Sequence, residues 1–125
     1  MSHTFDALSG KVIGYAIEVH RTLGPGLLES VYEECLTYEL KNAGLKVVRQ
    51  VPVPVIYKEV RLDLGYRMDL LVESSLVVEL KSVEVLLPIH EAQILTHMRF
   101  AHIHIGLLMN FKTTSLRKGL KRFVL

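Results

Sequence analysis

Apolar positions along the first third of the chain recur with a helical period. Between residues 8 and 23, Val12 and Ala16 belong to an apolar stripe whose members lie three or four positions apart, which is the spacing of one helix face. The sequence Gly-Pro-Gly at residues 24–26 interrupts this pattern, as breaker residues do. The same period returns afterwards and predicts a second helix over residues 27–43.

After the second helix the period changes to two, which is typical of β-strands. Residues 47–57 are rich in valine and predict an edge strand, because Pro52 and Pro54 lack the amide hydrogen that an inner strand donates. The next alternating segment, residues 60–73, is expected to form one long strand that bends or bulges at Gly65. The remaining expected elements are a strand at Leu76–Lys81, a helix at Pro88–Ala101, a strand at 103–109 and a short strand at 123–125.

This order of elements predicts an α/β fold with a mixed sheet. Three consecutive strands joined by short turns favour antiparallel pairing, and the later helix is a crossover that allows a parallel pair. With 125 residues, half of them apolar, the chain is expected to form a single domain over residues 1–125. No apolar stretch reaches the roughly 18–20 residues that span a bilayer, and no signal-peptide pattern is visible.

Charge and cysteine content narrow the classes of function. The chain has 15 Lys and Arg against 13 Asp and Glu, a net charge of +2, which argues against a broad electrostatic grip on nucleic acid. The only cysteine, Cys35, cannot form an internal disulfide, so a cytoplasmic location is expected. Four basic residues near the end of the chain could contact phosphates, or could form the solvated face of a terminal helix; they are Arg117, Lys118, Lys121 and Arg122.

The hairpin between the second and third predicted strands carries the sharpest functional inference. A two-residue turn would place Leu70 opposite Glu79 and mix apolar with charged side chains, which register rules disfavour. A three-residue loop instead pairs Leu70 with Val78 and sets Asp69 opposite Glu79, with Lys81 on the same face. A shift by two residues also preserves the faces, and it would set Asp69 opposite Lys81.

Two neighbouring carboxylates and a lysine suit the hydrolysis of a phosphodiester bond. The carboxylates of Asp69 and Glu79 repel each other unless a cation lies between them, and their hard oxygens prefer Mg²⁺ or Mn²⁺ to Zn²⁺. A bound metal activates water and neutralises phosphate oxygens, and Lys81 can hold the water or offset developing charge. These three residues alone leave a second interpretation open, a solvated strand face with weak ion pairs.

The same residues resemble the signature of a known superfamily. Asp69 followed by Glu79-Leu80-Lys81 on the next strand is similar to the motif of the PD-(D/E)XK nuclease superfamily. The segment GLLESVY at residues 26–32 matches the GxxExxY motif that names a family of small prokaryotic proteins within it. The resemblance covers nearly the whole chain. It implies a restriction-endonuclease-like αβββαβ core, with a central mixed sheet flanked by helices and an extra N-terminal helix.

The resemblance also implies a role for each matching residue. Asp69 and Glu79 would be metal ligands, aided by the backbone carbonyl of Leu80. Lys81 would position the attacking water or stabilise the transition state. Glu29 matches an acidic position that supplements the metal site in some branches of the superfamily.

The helix at Pro88–Ala101 both follows and departs from the superfamily pattern. Gln93 matches a glutamine on the second core helix of exonuclease-like branches. Those branches often have a tyrosine four residues later, and His97 stands at that position here. Met68 also replaces the proline that precedes the aspartate in the superfamily motif.

These observations predict a Mg²⁺- or Mn²⁺-dependent nuclease, with DNA favoured over RNA as the substrate. The rival hypothesis is a nuclease-fold module that binds or assembles without turnover. The large apolar fraction of the chain would then serve a homodimer or a larger complex. The final choice between DNA and RNA, the strandedness of the substrate, endo- or exonuclease action and base preference stay open at this point.

Overall fold

The computed structural model describes residues 6–125, so the first five residues of the expected domain lie outside it. The helices of the described range are α1 (Ala7–Leu23), α2 (Glu29–Asn42) and α3 (Pro88–Ala101). Its strands are β1 (Val47–Pro52), β2 (Val55–Tyr57), β3 (Val60–Leu62), β4 (Arg67–Val72), β5 (Leu76–Lys81), β6 (Ile105–Asn110) and β7 (Leu120–Val124). A short 3₁₀ helix, Leu116–Gly119, precedes β7.

Five of these strands form one mixed sheet in the order β1-β4-β5-β6-β7. The pair β5–β6 is parallel, and the other three pairs are antiparallel. The parallel pair is the one that α3 connects, as a crossover connection requires. The structure therefore confirms the α/β fold with a mixed central sheet, and α2-β1-β4-β5-α3-β6 gives the αβββαβ order of a restriction-endonuclease-like core.

Helices cover both faces of this sheet with separate apolar clusters. Side chains of α1 and α2, such as Val12 and Leu36, pack with Leu70 and Val78 on one face. On the other face, Ile94 and Met98 of α3 pack with Val77 and Leu108. β5 is buried on both sides, so the segment that carries Glu79 and Lys81 lies at the centre of the protein rather than at its edge.

The prediction of one long strand over residues 60–73 was wrong. Gly65, with φ of +86°, lies in a turn that separates β3 from β4, and β3 pairs with β2 in a hairpin outside the main sheet. The expected edge strand over 47–57 likewise divides into β1 and β2, with β1 at the sheet edge. Alternation predicts an extended conformation but does not specify the partner strand, and that is why the pattern misled here.

Other bounds differ by a few residues. Helix α2 begins at Glu29, and Leu28 before it is exposed. Strand β6 begins at Ile105 because His102 adopts a left-handed conformation that ends α3. The final strand is longer than expected and covers Leu120–Val124.

Candidate active site

The β4–β5 hairpin adopts the register that a three-residue loop predicts. Leu70 lies opposite Val78, and the same register continued by one position sets Asp69 opposite Glu79. The regular pairing of β4 with β5 ends at Leu70 and Val78. Beyond it, Oδ2 of Asp69 accepts a hydrogen bond from the Leu80 amide at 2.8 Å, so a side-chain oxygen takes the place of a strand carbonyl. This bond fixes the Asp69 carboxylate against the backbone of the Glu79-Leu80-Lys81 segment.

The backbone of β1 and β4 is irregular at the level of Asp69, where the pairing of β4 with β5 ends. Gln50, the β1 residue at this level, has φ of +52°, a left-handed conformation. Leu70 belongs to the cluster under α1 and α2, whereas Met68 belongs to the cluster under α3. Residues two positions apart on a strand ordinarily share a face. The side chains of β4 therefore change from one face of the sheet to the other at Asp69, and the Asp69 carboxylate lies where this change occurs.

Gln50 also contacts the carboxylate, and sequence analysis did not identify it. Its Nε2 donates to Oε1 of Glu33 at 2.8 Å and to Oδ1 of Asp69 at 3.4 Å. Glu33 is buried on α2 and also accepts from Arg49 at 3.0 Å, and this bond raises the pKa of the Arg49 guanidinium. A single amide in a valine-rich strand gives no pattern from which this network could be found.

The Glu79 carboxylate is buried and held by a histidine of α3. Glu79 is only 4% exposed, and its Oε2 lies 2.5 Å from Nδ1 of His97. A buried carboxylate is costly unless it has a hydrogen-bond partner, and His97 supplies one. The only sequence signal for this pair was that His97 stands where related branches have tyrosine. The bond engages Oε2, and a carboxylate offers about four acceptor positions over its two oxygens.

Lys81 ends β5, and hydrogen bonds hold the backbone at and just after this residue. Its carbonyl accepts from the Phe111 amide at 2.8 Å. The Asn110 side chain donates to the Val83 carbonyl at 2.8 Å and accepts from the Val83 amide at 3.0 Å. Alternation along β5 places Lys81 on the Glu79 face, and its ammonium makes no ion pair with any residue between 6 and 125. The lysine is therefore available to a bound group.

Glu29 reaches the end of β5, where its carboxylate contacts the backbone of Ser82. Its Oε2 accepts from the Ser82 amide at 3.3 Å, and the Ser82 hydroxyl donates to the Leu27 carbonyl at 2.9 Å. The Tyr32 hydroxyl donates to the Gly24 carbonyl at 2.6 Å and accepts from the Leu27 amide. The GLLESVY segment thus ties the start of α2 to Ser82, the residue that follows Lys81.

Gln93 lies on α3, one turn before His97, and is exposed. It lines a cleft of about 350 Å³ together with His97 and Tyr66. Gln93 therefore shares the cleft with His97, which binds Glu79.

The four basic residues near the C-terminus do not form one patch. Lys121 lies opposite Leu108 on the α3 side, whereas Arg122 lies opposite Leu107 on the α1 side. Lys121 pairs with Glu91 at 2.5 Å, and Arg122 pairs with Asp6 at 2.7 Å. Arg117 and Lys118 are exposed on the 3₁₀ helix. The tail is thus an edge strand with a short 3₁₀ helix rather than the face of a terminal helix.

The donor chemistry of this site fits a small divalent cation. Mg²⁺ usually keeps several waters and is held by one or two carboxylates, and Asp69 and Glu79 provide two. Within residues 6–125, no group of three or more His, Cys, Asp and Glu side chains has the arrangement of a metal site. The available donor set is therefore a pair of carboxylates, to which the Leu80 carbonyl would add a backbone oxygen.

Comparison with known proteins supports this reading of the fold. A family model of the PD-(D/E)XK nuclease superfamily matches residues 6–123. The chain therefore belongs to the PD-(D/E)XK nuclease superfamily. Curated proteins and solved structures gave no match. Among the described residues, no helix is long and apolar enough to cross a membrane.

Proposed function

We propose that this chain is a metal-dependent nuclease that hydrolyses phosphodiester bonds in DNA. One observation carries the proposal: the Asp69 carboxylate accepts a hydrogen bond from the amide of Leu80, the residue between Glu79 and Lys81 on β5. Membership of the nuclease superfamily supports the same chemistry.

Each residue of the site has a separate task in this proposal. Asp69 and Glu79 hold Mg²⁺ or Mn²⁺, with the Leu80 carbonyl as a third oxygen. The metal, when bound, lowers the pKa of its water and neutralises phosphate charge. Lys81 orients the attacking water and offsets charge that develops on the phosphate.

Two further residues support the site from its margins. Glu29 steadies the chain just after Lys81 through Ser82 and adds an acidic group beside the metal site. Gln93 faces the cleft and contacts substrate there.

Of the basic tail, Arg117 and Lys118 contact phosphates of the bound strand. Lys121 and Arg122 would reach phosphates only by giving up Glu91 and Asp6.

The narrower family and the location are part of the same proposal. The GLLESVY segment supports assignment to the GxxExxY family, because its tyrosine and glutamate make specific contacts at the start of α2. The cytoplasm is the proposed location, because Cys35 is a free cysteine and has no partner for an internal disulfide.

Cleavage assays with matched variants test the proposal. The purified chain is incubated with single-stranded DNA, duplex DNA and RNA of the same sequence, with Mg²⁺, Mn²⁺ or EDTA. We expect metal-dependent cleavage of DNA, with losses of about 100-fold or more in Asp69→Asn and Lys81→Met. Asp63→Asn and Lys41→Met alter exposed residues that are not among the proposed site residues, and they serve as controls. Equal cleavage by the parent and both site variants would point to a contaminant and overturn the assignment.

A second candidate function is a binding or assembly module, and exposed apolar residues favour it. Ile56, Tyr57 and Val60 of the β2–β3 hairpin are exposed, and exposed apolar patches often mark protein interfaces. A homodimer formed through this hairpin would cover them. Absence of cleavage and of metal binding, together with concentration-dependent dimerisation in analytical ultracentrifugation, would favour the module over the nuclease.

A further inference from the structure

We infer that the cleft next to Glu79 holds one unpaired nucleobase of the substrate strand, so that the protein acts on single-stranded DNA. The inference rests on the proposed function and adds a substrate class to it. The cleft lies between α3 and the segments around β2 and β4, and it has a volume of about 350 Å³. This volume is at the small end of the range of about 300–1,000 Å³ for ligand pockets.

The cleft lies next to the candidate site, because the two share His97. His97 lines the cleft and also binds Oε2 of Glu79. One imidazole therefore separates the cleft from the proposed metal ligand. A phosphate bound through a cation at Asp69 and Glu79 would therefore have its adjoining nucleoside within reach of the cleft.

The lining of the cleft combines apolar side chains with polar ones and, among the described residues, includes no Asp, Glu, Lys or Arg. The cleft therefore suits a neutral group and not a phosphate. Val55 and Phe100 contribute apolar surface, and Gln93, Thr96 and His97 contribute polar groups on the α3 wall. A flat, apolar ring with donors and acceptors at its edge matches this lining, and a nucleobase has that character.

Tyr66 provides an accessible aromatic face at the rim. It is 53% exposed, and its ring centroid lies 6.4 Å from that of His97 with the planes tilted by 54°. The two rings do not stack on each other, so the face of Tyr66 is available to a base. Aromatic stacking of this kind binds single strands with little dependence on sequence.

The geometry requires an unpaired base. A base inside a duplex is stacked and paired, and it must leave the helix before it can enter a side pocket. A single strand avoids this cost. The protein also lacks a large net positive charge, and an unpaired base can stack on an aromatic side chain, whereas the bases of a duplex are already stacked on each other.

Fluorescence anisotropy with labelled oligonucleotides tests the inference in Ca²⁺, which is used here to allow binding without turnover. The probes are a single strand of twelve nucleotides and a duplex of the same sequence. We expect the single strand to bind about tenfold more tightly or better. Tyr66→Ala should weaken single-strand binding about tenfold and leave duplex binding unchanged. Tyr66→Phe should retain binding, since the ring remains.

The matched control is Tyr57→Ala, which removes the same side chain from an exposed position on β2 that does not line the cleft. An abasic nucleotide moved along the strand should weaken binding at one position in the parent and at none in Tyr66→Ala. Equal affinity for both probes, equal effects of Tyr66→Ala and Tyr57→Ala, or absence of binding would overturn the inference. Duplex cleavage that depends on Asp69 would then leave the nuclease assignment intact, whereas absence of any cleavage would remove that assignment itself.

Discussion

Two antiparallel hairpins follow each other in this chain and differ in what covers them. The β2–β3 hairpin pairs Val55 with Leu62 outside the main sheet and leaves most of its side chains exposed. The β4–β5 hairpin lies inside the sheet between helices on both faces. Both have alternating sequences, so the difference comes from burial. Only the covered hairpin can hold a carboxylate in a fixed, largely dry position, and only there does the candidate site occur.

Truncation of one apolar side chain in each hairpin should give the largest contrast. Leu70 on β4 is fully buried, and Ile56 on β2 is 43% exposed. Leu70→Ala should lower the free energy of unfolding by about 3 kcal/mol, because it leaves a cavity. Ile56→Ala should lower it by less than about 1 kcal/mol. Urea unfolding followed by circular dichroism measures both, and similar losses would show that the hairpins are equally supported.

The buried pair of Glu79 and His97 should give the next effect. His97→Leu leaves the Glu79 carboxylate buried without its partner, so the free energy of unfolding at pH 7 should fall by about 2–3 kcal/mol. His97→Asn retains a donor at the position of Nδ1 and should recover about half of the loss. The same urea assay applies. A loss below about 0.5 kcal/mol in His97→Leu would show that solvent, and not His97, satisfies Glu79.

A partly exposed ion pair at the far edge of the sheet should give the smallest effect. Burial would raise the pKa of the Asp6 carboxyl, but hydrogen bonds from Arg122 and Ser9 lower it from 3.8 to about 2. The folded state therefore holds the proton less tightly than the unfolded state. The stabilisation is present above about pH 4 and is lost as the pH falls towards 2.

Solvent screening limits this stabilisation to about 1 kcal/mol. Urea unfolding of the parent and of Arg122→Gln at pH 7, 4 and 2.5 measures it. We expect the difference between the two proteins to shrink as the pH falls. A difference that stays constant or grows would contradict the assignment of this pH dependence to Asp6.

The sequence was sufficient for the central part of the fold and reduced the register of the site to two possibilities. Because Val78 and Leu70 had to share an apolar face, the two-residue turn was excluded and two registers remained. The structure adopts the one that pairs Leu70 with Val78. Burial of both faces of β5 was not needed for that argument. Local apolar periodicity therefore carried most of the information about this hairpin.

What the sequence did not predict depends on contacts between distant segments. The division at Gly65 required knowledge of which strand β3 would pair with. The contacts of Gln50 with Asp69, and of His97 with Glu79, join residues 18 or 19 positions apart with no shared periodicity. The opposite faces of Lys121 and Arg122 follow from strand alternation, but only once the tail is known to be a strand from Leu120 onward.

Titration of the protein with Mn²⁺ in a calorimeter tests most directly whether the covered hairpin forms a metal site. The account predicts one Mn²⁺ bound per chain by the parent and by Asp63→Asn, whose exposed carboxylate lies in the turn after β3. Asp69→Asn should bind at least about tenfold more weakly, since it removes a charged ligand. Equal binding by the parent and Asp69→Asn, or no binding by the parent, would contradict the account.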